Sequence, residues 1–109
     1  MINISIVRDK TGFIWEFTVK GHAGFGEYGS DIVCAAVSAI AYTALGALDE
    51  LTGIRNYTER DGYIKCSIPS DTPEDARSKA RIILEAMTIG FKQIENEYGK
   101  YVSVMNEEV

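Results

Sequence analysis

The chain holds a single histidine, His22, and two cysteines, Cys34 and Cys66. An imidazole beside a thiol suffices for nucleophilic acyl transfer: the thiolate attacks a carbonyl carbon, and the imidazole takes and returns the proton. His22 directly follows an alternating segment and opens a stretch, Gly21 to Ser30, in which four of ten residues are glycine. Cys34 stands twelve positions after His22, within what the sequence predicts to be the first turn of a long helix. Unpaired amides at a helix start carry partial positive charge, which favours a thiolate and can bind a developing oxyanion. A strand-to-helix loop can bring its two ends together, so His22 and Cys34 are candidate catalytic partners. Taken singly, each has a plainer reading. His22 then is an exposed loop residue, and Cys34 a small apolar residue packed beside Val33 and Ala35.

Supporting candidates surround the pair. Asp31 can orient His22, or it can cap the helix, a role that suits an aspartate equally well. Ser38 lies four residues after Cys34, on the same helical face, and can bond near the thiol or the substrate or back to its own helix. Gly24, Gly26 and Gly29 relax the backbone between the two partners, so the loop is expected to gate access to Cys34. Cys66 alternates with Ile64 and Ile68 and is expected to be an inert core thiol. One histidine and two cysteines without CxxC spacing do not make a zinc set, and neither GxGxxG nor GK[ST] occurs. No metal or cofactor is therefore expected.

The elements that must hold these residues can be read from periodicity. Ile2, Ile4 and Ile6 alternate with polar residues, and Phe13, Trp15, Phe17 and Val19 do the same after the turn Asp9 to Gly12, which predicts a hairpin. A helix capped by Ser30 or Asp31 and ended by Gly53 follows. Tyr57 marks a short third strand, Arg60-Asp61-Gly62 a turn, and Ile64, Cys66 and Ile68 the inner face of a fourth strand. Thr72 is expected to cap a second helix with Pro73 in its first turn. Ala76, Ala80, Ile83, Met87, Gly90, Phe91, Ile94 and Tyr98 form its apolar stripe, and Gly99 its stop. Tyr101 to Met105 completes the order ββαββαβ. The expected fold is α+β: a two-layer sandwich with a mixed sheet of about five strands and two long helices on one face, in a single domain spanning 1–109.

Composition narrows the function. Nearly half of the 109 residues are apolar and about a quarter charged, as in a globular protein. A net charge of −5 argues against direct nucleic-acid binding. The N-terminus shows no basic region followed by an apolar run, and the unrelated contexts of the two cysteines favour a reduced, cytoplasmic protein. Ile32 to Leu48 carries no charge. It falls just short of a spanning segment and reads better as a helix covered on nearly all sides. Ile82, Ala86 and Ile89, off the main stripe of the second helix, suggest that a second subunit covers the helical layer.

Gly21-His22-Ala23, Gly26-Glu27-Tyr28-Gly29 and Asp31-Ile32-Val33-Cys34-Ala35-Ala36, with Ser38, resemble the ribosomal-processing cysteine protease family, Prp. The resemblance extends over essentially the whole chain. It implies an endopeptidase that removes a short N-terminal extension from large-subunit ribosomal protein twenty-seven. It also implies a homodimer packed through its helices, His22 and Cys34 as the catalytic pair, and Asp31 and Ser38 beside them. The alternative is a non-catalytic ribosome-associated binding or assembly factor, which would need neither His22 nor Cys34.

Overall fold

A computed structural model describes residues 1–22 and 30–109 of the chain, without the side chains of residues 30 and 31. The elements are β1 (Ile2–Arg8), β2 (Ile14–Lys20), α1 (Ser30–Thr52), β3 (Tyr57–Arg60), β4 (Tyr63–Ser67), α2 (Glu74–Tyr98) and β5 (Val102–Glu108). The strands form one sheet in the order β3-β4-β2-β1-β5. Only the β1–β5 pairing is parallel, and the other three are antiparallel. The mixed sheet and two long helices of the expected α+β sandwich are thus present, in the expected order.

Alternation explains most of the inner face. Ile2, Ile4 and Ile6 of β1 and Ile64 and Cys66 of β4 are buried, with Ile68 just beyond. The β1–β2 hairpin departs from the expected pattern. Val7 pairs with Glu16 and Arg8 with Ile14, which leaves Trp15 as an extra residue in a bulge. The bulge puts Phe13 and Ile14 both in the core, while Trp15 is only partly buried. The turn before it is built by Asp9, whose carboxylate accepts from the Thr11 amide at 2.8 Å, the Thr11 hydroxyl at 2.6 Å and the Phe13 amide at 3.1 Å.

In α1 the buried residues Val33, Val37, Ala41, Ala44, Leu45 and Leu48 recur at helical spacing, so one stripe of the long uncharged segment faces the core. By length and composition alone this helix is also apolar enough to cross a membrane. Gly53, at φ +75°, ends it as expected, its amide donating to the Asp49 carbonyl at 2.9 Å.

At α2 some sequence expectations need correction. Thr72 does not cap the helix: its hydroxyl donates to the Pro69 carbonyl at 2.6 Å, closing the preceding turn. Pro73 occupies the cap position instead, and its carbonyl accepts from the Arg77 amide at 2.9 Å. The helix stops at Gly99 as expected, where the cap residue keeps a right-handed φ of −59°. Leu84 joins the buried stripe beside Ala80, Met87 and Phe91, whereas Tyr98 is exposed. The helix is tied to β1 by Arg8, which meets both carboxylate oxygens of Glu85 at 2.6 and 3.1 Å. The close approach of the two helices passes over Gly90, where a Cβ would lie 3.0 Å from Ile40.

Candidate active site

Residues from four parts of the chain line a pocket of about 360 Å³ at one end of the sheet. His22, just after β2, and Cys34 and Ser38 of α1 all line it. The structure thus brings together the pair that the sequence singled out, with Ser38 beside them. The side chain of Asp31 and all of Gly24, Gly26 and Gly29 lie outside the described residues.

Cys34 is the fifth residue of α1, one place past the first turn expected for it. It is partly buried against the core, and His22 and Ser38 are exposed. The other thiol differs in kind. Cys66 is 2% exposed, and burial pushes its thiol up to about 11, so it stays protonated and inert at neutral pH. Cys34 and Cys66 form no disulfide with each other. Among the described residues no three His, Cys, Asp or Glu side chains gather to hold a metal.

The remaining wall comes from residues that sequence reading passed over. Glu59, Arg60, Asp61, Gly62 and Tyr63 of the β3–β4 hairpin line the pocket, as does Tyr42 of α1. The sheet order explains the first group. Because β4 pairs with β2, Tyr63 sits opposite Lys20, and the Gly21 amide donates to the Gly62 carbonyl at 2.9 Å. The hairpin turn, read from sequence only as a turn, is thereby laid beside His22. Tyr42 did carry a signal, since positions 34, 38 and 42 repeat every four residues along one face of a helix.

Two glycines fit this corner tightly. Gly21 has φ +100°, and a Cβ there would stand 2.5 Å from the Met1 carbonyl oxygen. Gly62 has φ +69°, and a Cβ there would stand 2.7 Å from His22 Nε2. The imidazole is the movable partner, so Gly62→Ala should displace it. We expect kcat/KM for peptide cleavage to fall by at least about tenfold, since small misplacements of catalytic groups are costly. The left-handed backbone alone adds a stability loss of roughly 1–2 kcal/mol. Gly53→Ala is the control: its φ is +75° and a Cβ there meets nothing within 4 Å. It should lower the melting temperature similarly but spare the rate, and equal activity in both variants would show that Gly62 does not set the His22 position.

Comparison with known proteins places the chain in a family. The family model described as Cysteine protease Prp matches residues 1–103. The ribosomal processing cysteine protease Prp of Bacillus subtilis (strain 168) is 35% identical over 101 residues, covering 90% of this chain and 90% of that protein. The crystal structure of the essential ribosomal processing protease Prp from S. aureus with a covalently linked product peptide superposes with a TM-score of 0.84 at 32% identity, covering 98% of this chain and 100% of that one. The S. aureus protease with a substrate peptide superposes with a TM-score of 0.85 at 28% identity, over 98% of this chain and 100% of that one.

Proposed function

The chain belongs to the Prp family of cysteine proteases, and we propose that it removes the short N-terminal extension of large-subunit ribosomal protein twenty-seven, with Cys34 as nucleophile and His22 as general acid and base. The observation that carries this reading is the convergence of His22 and Cys34 on one pocket from a strand end and a helix start. Relatives named as ribosomal processing proteases, and solved with substrate and product peptides, support a ribosomal-protein substrate.

The chemistry fits the residues at hand. The Cys34 proton passes to His22 as Sγ bonds to the scissile carbonyl carbon. The resulting oxyanion is met by amides at the start of α1, with Ser38 beside them. Collapse of the tetrahedral intermediate breaks the C–N bond, and His22 gives its proton to the leaving amine. Water, deprotonated by His22, then hydrolyses the thioester and restores the thiol. Asp31 is assigned to the support of His22, and Gly24, Gly26 and Gly29 to the gating of peptide entry. The reaction needs no cofactor, and a reduced cytoplasmic compartment keeps Cys34 active.

The same reading includes a homodimer. An apolar groove of about 480 Å³ runs between α1 and α2, lined by Ile40, Ala44, Ile83 and Met87, and Ile82 on its rim is 71% exposed. A second copy covering this face would bury what water now meets, and sedimentation at a monomer's mass at micromolar concentration would refute it. The proteolytic reading is tested by incubating the purified protein with ribosomal protein twenty-seven carrying its extension. Mass spectrometry should show one shortened protein and one released peptide, and an uncut substrate would overturn the assignment.

A further inference from the structure

Cys34, Ser38 and Tyr42 stand at intervals of four on one face of α1, and all three line the pocket. Their line ends at a carboxylate. Tyr42 Oη donates to Glu59 Oε1 at 3.1 Å, joining the helix that carries the nucleophile to the hairpin that forms the opposite wall. Desolvation first, and then Glu59, push the Tyr42 phenol above its ordinary value, so it stays a donor at neutral pH. One hydrogen bond uses a fraction of what a carboxylate can accept, because its two oxygens offer about four lone-pair sites.

The pocket's charges favour a cation at this end. Glu59 and Asp61 are acidic, and the one basic lysine or arginine among the described lining residues, Arg60, holds its guanidinium 4.1 Å over the Tyr63 ring of its own hairpin. Distance along the helix sets the register. Eight residues of helix span about 12 Å, which an extended peptide at about 3.3 Å per residue covers in three to four residues.

We propose that Tyr42 and Glu59 form a specificity subsite that binds a lysine or arginine side chain of the substrate three to four residues from the scissile bond. The subsite rests on the protease reading above. Glu59 makes the contact with substrate, and Tyr42 holds its carboxylate in place. The pair lies in an exposed rim, so the preference is modest and falls with salt.

The test uses one cleavable peptide that carries lysine or acetyl-lysine in turn at each position within five residues of the cut. Acetylation keeps the stem and removes the charge. For the wild type, kcat/KM should favour lysine by about threefold to tenfold at one position three or four residues away, and less so in molar salt. In Glu59→Gln that ratio should fall to about one. A wild type with no such preference, or a Glu59→Gln enzyme that keeps it, overturns the subsite, even if the variant is slower on every peptide. If the wild type cuts none of the peptides, the protease reading fails and the subsite falls with it. That outcome is distinguishable, because the other two are read from active enzyme.

Discussion

Cys34→Ala should abolish peptide cleavage, by about 10⁴-fold or more, while the protein keeps its fold. Removing the nucleophile of a covalent mechanism removes the acyl-enzyme route itself, leaving only binding and oxyanion contacts. Cys34 is partly buried at the core's margin, so replacing a thiol by a methyl should change stability by no more than about 1 kcal/mol. Cys66→Ala gives the opposite signature. That side chain is 2% exposed within the core, and trimming it should cost about 1–2 kcal/mol while activity stays. Alkylation provides an independent readout. At neutral pH iodoacetamide should label Cys34 and spare Cys66, whose burial blocks access and holds its thiol up at about 11. Near-normal turnover by Cys34→Ala would refute the nucleophile, and loss of activity in a folded Cys66→Ala would mean that the two thiols had been assigned in reverse.

The second large effect is expected at His22. His22→Ala should lower kcat/KM by at least about a hundredfold, the usual consequence of losing a general acid–base group. The side chain is exposed at the end of β2, outside the core cluster, so the melting temperature should hardly move. The proposed mechanism gives this residue two roles, and they separate experimentally. If His22 takes the thiol proton, alkylation of Cys34 should slow in the variant as cleavage does. If alkylation keeps its rate while cleavage is lost, His22 serves only to protonate the leaving amine. A His22→Ala enzyme that cleaves within threefold of wild type would remove it from the mechanism.

The candidate residues for the chemistry were largely legible without coordinates. His22 and Cys34 flank one glycine-rich loop, and a helix start is where a thiol can act as a nucleophile. Cys66, alternating with Ile64 and Ile68, was legible as a core residue because strand periodicity reports which face a side chain takes. The two helices were legible for a similar reason, since α1 buries Val33, Val37, Ala41 and Leu45 at helical intervals. All of these inferences depend on neighbours along the chain.

Tertiary structure decided what depends on partners distant in sequence. The bulge at Trp15 arises from how β2 pairs with β1, so alternation along positions 13 to 19 alone put Phe13 and Trp15 on one face when only Phe13 is fully buried. Thr72 has a capping side chain, but the Pro69 carbonyl lies within its reach and takes its hydroxyl. The far wall of the pocket is the clearest case. Gly62 meets His22, and Glu59 meets Tyr42, because β4 pairs with β2 and carries the β3–β4 turn to the end of the sheet where α1 begins. Strand order is set by which pairings together close the core, a property of the whole chain that no local pattern encodes.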